Sequence, residues 1–114
     1  MPEHIRLSYR PPQPVAIVDL PDTFWAVQLI ALSTKESLEA YADKYKIRGM
    51  SAARVVAGDQ LFYVLLLGIY ETRENAEKAS QNLPDPYHKP WIRTIKSLKD
   101  AMIAADARTG TSQP

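Results

Sequence analysis

A single amide side chain, Gln28, lies in the middle of an otherwise apolar run, residues 24–30. The run is apolar at both odd and even positions, which is typical of a strand in the interior of a sheet. A side chain amide in such a strand needs hydrogen-bond partners, either in the protein or in a ligand. Because an amide supplies both a donor and an acceptor, Gln28 is the first candidate for a polar contact with a bound molecule.

The residue types that usually carry catalysis are few and poorly placed. The chain has no cysteine, which excludes disulfides, thiolate zinc sites and cysteine nucleophiles. His4 and His88 have no second metal ligand at a useful spacing, and Ser33 and Ser97 are interpreted as helix caps. The acidic residues fall on the solvent faces of predicted helices, with no pair placed to flank a glycosidic bond. We therefore expect no catalytic residue, no metal and no cofactor.

Composition limits the class of protein and of partner. The chain has 114 residues, 46% of them hydrophobic, and a formal net charge of +1, so one domain can bury a core of its own. A near-neutral charge argues against nucleic acid as a partner. Charged residues interrupt the first 23 positions, so neither an export signal nor a membrane span is predicted. A cytoplasmic protein and the soluble part of a larger anchored protein both remain open.

Proline and cap patterns divide the first half of the chain. Five of the nine prolines fall before residue 22, which predicts an extended linker or arm over residues 1–22. After the strand at 24–30, Ser33 followed three residues later by Glu36 predicts a helix over about 34–47. Gly58-Asp59 predicts a hairpin turn into a second apolar strand.

The second half repeats the pattern. Thr72 is predicted to cap a helix whose buried stripe is Ala76, Ala79 and Leu83. A short strand at 91–94 and a last helix over 98–105 follow, then a disordered tail at 107–114. The order βαββαβ plus a terminal helix predicts an α+β, ferredoxin-like or RNP-like domain over residues 23–106. Its four-stranded antiparallel sheet carries two helices on one face.

Alternation along the strands sorts their side chains into two faces. The first face, which we expect the two helices to cover, carries Trp25, Val27, Leu29, Tyr63, Leu65, Leu67 and Ile92. The second face, which we expect to be open unless the last helix or a partner lies on it, carries Gln28, Ile30, Phe62, Val64, Leu66, Trp91 and Arg93. An apolar platform with aromatic rings, one amide and one guanidinium suits a sugar ligand.

The ordered segments resemble the SPOR domain, a peptidoglycan-binding module of bacterial cell-division and cell-wall proteins. The resemblance spans about 70–80 residues, the size of one domain, and is closest to the DamX-type branch. It is carried by Trp25-Ala26-Val27-Gln28-Leu29, by Phe62-Tyr63-Val64-Leu65-Leu66-Leu67-Gly68-Ile69-Tyr70, by the helix Glu74-Asn75-Ala76-Glu77-Lys78-Ala79, and by Pro90-Trp91-Ile92-Arg93 with the helix after it.

The resemblance implies a non-catalytic module that binds glycan strands stripped of stem peptides and directs its host protein to the septal cell wall. Its implied partners are peptidoglycan and cell-division proteins. Its implied location is the periplasm or cell envelope, within a larger anchored protein. By resemblance, Gln28, Phe62 and Trp91 match positions used for glycan contact. Ile30-Ala31-Leu32 stand where many members have serine or glycine, which implies a more apolar groove.

Other interpretations of the same residues stay open at this stage. An RNA-recognition-like domain uses this topology to present aromatics to bases and predicts basic residues on its third strand, where residues 61–67 have none. A regulatory or dimerisation domain would place Leu66 and Trp91 in an interface between two copies. As structural residues, Gln28 would pair across the sheet, Trp91 and Phe62 would pack in the core, and Arg93 would be a solvated charge.

Overall fold

The computed structural model describes residues 3–13, 15–45, 51–81 and 90–108. In chain order its elements are α1 (Glu3–Arg6), a 3-10 helix (Ile17–Asp19), β1 (Trp25–Leu32), α2 (Lys35–Lys44), β2 (Ser51–Ala57), β3 (Gln60–Tyr70), α3 (Arg73–Ser80), β4 (Trp91–Thr94) and α4 (Ile95–Arg108). The strands form one antiparallel sheet in the order β2-β3-β1-β4, which confirms the predicted α+β architecture. Gly58 turns the β2–β3 hairpin with a φ of 62°, a conformation that glycine adopts without steric cost.

The two central strands, β1 and β3, are not in continuous register. Val27 lies opposite Gly68 and Gln28 lies opposite Leu66, so Leu67 is an extra residue on β3. An extra residue in one strand is a β-bulge, which increases the local twist and changes which face the following side chains occupy.

A second irregularity follows at once on β1. Ile30 is the next residue in register and lies opposite Leu65, which leaves Leu29 as the extra residue. Paired residues share a face, so Gln28 lies on the same face as Leu66. Ile30 lies with Leu65, whose side chain alternates to the other side of the sheet. The prediction that Ile30 belongs to the second face is therefore wrong, because alternation was counted through a bulge.

Each face of the sheet carries its own buried cluster. On the first face the buried residues are Val27, Leu29, Leu67, Tyr70, Ala76 and Ala79, with Leu7, Trp25 and Ile92 packed against them. On the second face they are Leu20, Ala26, Ala53, Val55, Val64, Leu66, Ile95 and Leu98, with Tyr9, Ile17, Phe24, Phe62, Ile69, Ala101 and Met102 packed against them. The second face is thus covered by α4 and by the segment before β1, which is the alternative that the sequence left open.

Threonine hydroxyls begin the three longer helices. The side chains of Thr34, Thr72 and Thr94 each accept a hydrogen bond from the backbone N–H three residues later, which satisfies one of the free donors of a helix start. The cap predicted at Thr72 is confirmed. The caps predicted at Ser33 and Ser97 are wrong by one and by three residues, since Thr34 and Thr94 occupy those positions.

Helix α4 follows β4 without a connecting loop and starts earlier than predicted, at Ile95. Its first turn is bonded to the segment before β1: the Ile95 N–H donates to the Phe24 carbonyl at 2.8 Å and the Lys96 N–H donates to the Asp22 carbonyl at 3.3 Å. Lys99 Nζ lies 2.8 Å from the Asp22 carboxylate and lowers the pKa of that group. These contacts hold α4 against the second face.

The segment before β1, predicted as a linker or arm, lies against both faces of the sheet. Leu7 packs on the first face and Tyr9 on the second, while the Tyr9 N–H donates to the Ile69 carbonyl at 2.6 Å. The buried Tyr70 hydroxyl donates to the His4 carbonyl at 2.8 Å, and burial raises the pKa of Tyr70 to about 12.

Some predicted features lie outside the described residues. They are the end of the first predicted helix beyond residue 45, Leu83 with the proline stop after it, His88 and residues 109–114 of the predicted tail. Residues 107 and 108, predicted to be part of the disordered tail, belong to α4 instead.

Candidate ligand-binding site

An exposed indole marks the β4 edge of the sheet. Trp91 is the first residue of β4 and lies opposite Gln28 in the β1–β4 pairing. Its side chain is 52% exposed, which is unusual for a large aromatic residue within a sheet. Because α4 leaves this corner of the second face uncovered, Trp91 presents its ring to solvent while Gln28 lies beside it.

The Arg93 guanidinium is held in place beneath this ring. Its Cζ lies 4.4 Å from the centroid of the Trp91 ring, a cation–π distance. Its Nε and Nη2 atoms donate to Ser97 Oγ at 3.1 and 2.8 Å, and Nη2 also donates to the Ser97 carbonyl at 3.0 Å. Partial burial lowers the pKa of Arg93, but a guanidinium keeps its charge near neutral pH.

Gln28 finds its protein partner in the same guanidinium. Arg93 Nη1 donates to Gln28 Oε1 at 3.3 Å. Within the described chain, no hydrogen-bond partner is found for Gln28 Nε2, and no buried side-chain polar atom is left without one. The amide nitrogen therefore reaches solvent at the exposed corner, next to Trp91.

The structure brings together three of the seven predicted site residues, namely Gln28, Trp91 and Arg93. Val64 and Leu66 are 0% and 1% exposed, in one cluster with Ile95 and Leu98 of α4. Phe62 packs against the same cluster, and Ile30 lies on the opposite face. The prediction of an open second face is therefore wrong at the centre of the face, which α4 covers. At the β4 edge the face is open, since Trp91 is exposed there.

Sequence reasoning missed Ser97 as the residue that fixes Arg93. The sequence pattern indicated a helix cap at Ser97. Ser97 follows Arg93 by four residues, and this spacing brings the two side chains together only if the strand passes directly into a helix. Such a junction places residue i of the strand over the first turn of the helix. The available clue was Thr94, a good N-cap residue three positions before Ser97.

The site is a surface rather than a cavity. A cavity of about 290 Å³ lies between the N-terminal segment and β3, and another of about 620 Å³ is lined by α2, β2, β3 and α4. Neither includes Trp91, Gln28 or Arg93. An exposed ring at a sheet edge suits a ligand that extends beyond the contact, such as a polymer chain.

Residues 21–94, which include Gln28, Trp91 and Arg93, match the SPOR domain. The chain belongs to the SPOR domain family. The matched range is well over half of the 114 residues, and it confirms the resemblance. SPOR domains are non-catalytic binding modules. The match ends where β4 ends, so α4 lies beyond it.

This chain is also similar to the cell division protein DamX of Serratia marcescens. The two are 26% identical over 86 residues, which is 74% of this chain and 40% of that relative. The chain thus spans less than half the length of the curated relative it matches.

None of the described helices has the length and apolar character needed to cross a bilayer. In the same residues, no three histidine or acidic side chains come together as metal ligands.

Proposed function

We propose that this SPOR domain binds peptidoglycan glycan strands that lack stem peptides, through the surface formed by Trp91, Gln28 and Arg93. The observation that carries the proposal is the exposed Trp91 ring, backed by a fixed guanidinium and flanked by an amide with a free nitrogen. Membership of the SPOR family supports the same ligand class.

The geometry fits a saccharide ring. Arg93 covers one face of the indole, so the ligand stacks on the other. The apolar C–H face of a pyranose is a good partner for an aromatic ring, while its substituents need hydrogen bonds at the rim. Gln28 lies directly across from Trp91 in the sheet and supplies such a bond within reach of a stacked sugar.

The remaining predicted site residues have a supporting role in this proposal. Val64 and Leu66 are buried, and with Phe62 they form the layer that holds β1 and β3 against α4. We propose that they fix the backbone beneath the site rather than touch the glycan. Ile30 pairs with Leu65 on the other face and is not part of the proposed groove.

A binding module without catalytic groups acts by placing its host protein. We propose that this domain directs its host to the septal cell wall, in the periplasm or cell envelope, where cell-division proteins are further partners. The similarity to a cell division protein supports this role. The match covers only 40% of that relative, so the activity of the whole relative is not carried over to this domain.

Two alternatives use the centre of the second face. RNA recognition would stack bases on the aromatic residues of β3, and sheet-mediated dimerisation would pair two copies through Leu66 and Trp91. Leu66 is buried and Phe62 packs against the same cluster under α4, which disfavours both. Salt dependence separates RNA from a glycan, because phosphate binding weakens steeply with salt.

The test is retention of the purified protein on peptidoglycan sacculi. Amidase-treated sacculi, which have lost stem peptides, should retain more protein than untreated ones. Trp91→Ala should reduce retention at least about tenfold, the effect expected for an exposed aromatic anchor at the centre of a contact. Tyr45→Ala, which removes an exposed aromatic at the C-terminal end of α2, is the matched control and should bind as the wild type. Equal retention of the wild type and Trp91→Ala would disprove the site.

A further inference from the structure

We propose that Arg93 is a positioning residue that fixes the Gln28 amide as a hydrogen-bond donor toward the ligand, so that the site selects a substituent that can only accept. On a glycan strand the carbonyl oxygen of an N-acetyl group is such a substituent. The inference rests on the proposed glycan-binding function and adds that the site recognises a hydrogen-bond acceptor on the sugar.

Several hydrogen bonds hold Arg93 in place. Ser97 binds it through two guanidinium nitrogens and two acceptors, the hydroxyl and the carbonyl oxygen. Ser97 itself lies in the first turn of α4, whose start is fixed by the Thr94 cap. A planar guanidinium held by several bonds loses little further freedom on binding, so it is a rigid reference point for its neighbours.

Arg93 allows the Gln28 amide only one orientation. A guanidinium has five donors and no acceptor, so the amide atom that faces it at 3.3 Å must be the oxygen. The nitrogen then points the other way, where it has no partner among the described residues and reaches solvent. The orientation of the amide is thus decided by chemistry and not by a choice between two similar atoms.

The substituents of a sugar differ in whether they donate or accept hydrogen bonds. A sugar hydroxyl both donates and accepts and can rotate to suit either orientation of an amide. A carbonyl oxygen only accepts, and an ammonium group only donates. A fixed outward donor beside a positive charge therefore favours an N-acetyl sugar and rejects the same sugar carrying a free amine.

Gln28→Glu tests this step, because the variant is nearly isosteric and keeps the acceptor that Arg93 needs. At pH 7 its carboxylate accepts from Arg93 but cannot donate to the ligand. We expect retention on amidase-treated sacculi to fall about tenfold, the upper end of one lost hydrogen bond. If Gln28 only held Arg93 in place, the charged pair would do so at least as well and binding would be unchanged.

The pH profile supplies the second readout. Arg93 keeps the pKa of the introduced carboxyl below the ordinary glutamate value of about 4.3, so the acid becomes a donor only as the pH falls below that value. Gln28→Glu should therefore regain binding as the pH falls below about 4.3, whereas the wild type should change less, with circular dichroism confirming the fold at each pH. Sacculi deacetylated at nitrogen should lose wild-type binding, and reacetylation with acetic anhydride should restore it.

The outcomes separate the inference from the function on which it rests. If the wild type is not retained on amidase-treated sacculi, the proposed function fails and the donor assignment fails with it. If the wild type is retained and Gln28→Glu is retained equally at pH 7, only the donor assignment is overturned. Loss at pH 7 with recovery at low pH, together with loss on deacetylated sacculi, supports it.

Discussion

Truncating Leu98 tests whether α4 covers the second face of the sheet. Leu98 is 0% exposed and packs in one cluster with Val64 and Leu66 of β3. Leu98→Ala removes three carbon atoms from a layer formed by a helix and a hydrogen-bonded sheet, neither of which can move in freely to fill the space. The loss therefore combines the transfer free energy of the side chain with the cost of a cavity.

The expected loss of stability is large for a domain of this size. Buried leucine-to-alanine changes cost about 2–5 kcal/mol, and a site walled by a sheet belongs in the middle of that range, about 3 kcal/mol. With a urea dependence of about 1.5 kcal/mol per M, the midpoint of unfolding should fall by about 2 M. Urea titration followed by circular dichroism measures the midpoint and the slope, and the slope should stay unchanged if α4 unfolds together with the sheet.

Ile103→Ala is the matched control on the same helix. Ile103 is also a branched apolar residue, but it is 60% exposed, so its truncation should change the free energy of unfolding by less than about 0.5 kcal/mol. Equal midpoint shifts for Leu98→Ala and Ile103→Ala would refute the packing of α4 on the sheet. A large loss for Leu98→Ala alone would support it.

Two further changes probe the helix start and the N-terminal segment. Thr94→Ala should cost about 1 kcal/mol in urea unfolding because α4 loses its cap, whereas Thr94→Ser should stay close to the wild type; equal losses for both would contradict the cap. Tyr70→Phe should cost about 1 kcal/mol at pH 7 through the lost bond to the His4 carbonyl. Burial raises the pKa of Tyr70 from 10 to about 12, so the unfolded phenol ionises first and this stability is lost as pH rises from about 10 to 12. The urea midpoint should therefore fall more between pH 9 and pH 11.5 for the wild type than for Tyr70→Phe. Equal falls in the two proteins would contradict the burial of the hydroxyl.

Local patterns in the sequence were enough to predict the architecture. The apolar runs around Val27 and Leu65 became the two central strands, Gly58 turned the hairpin and Thr72 capped α3. Each of these depends on residues within a few positions of one another, where propensity and capping act directly.

Features that depend on distant contacts were not predictable in the same way. The bulges at Leu29 and Leu67 arise from how β1 and β3 fit together, and nothing within either strand marks them. They moved Ile30 to the other face. The start of α4 was predicted too late because no turn residue separates the helix from β4. The strand pattern ends at Thr94 and the helix begins at the next residue.

The candidate site was predicted by residue type but not by mutual arrangement. Gln28, Trp91 and Arg93 were assigned to one face of the sheet, where the structure also has them. The hydrogen bond between Arg93 and Gln28 joins residues 65 positions apart, and it exists only because β4 pairs with β1 in one register. Ser97 was missed because its role depends on the junction between β4 and α4.

The early start of α4 determines which residues must be included when this domain is fused to another protein. The match to the SPOR family covers residues 21–94. The buried cluster of the second face includes Leu20, which precedes this range, and Ile95 and Leu98, which follow it. A piece cut at the similarity boundary would turn an apolar sheet face toward water, a setting that promotes aggregation. It would also release Arg93 from its anchor on α4. A fusion that contains this domain should therefore include residues 3–108, because α4 buries the second face and its Ser97 anchors Arg93.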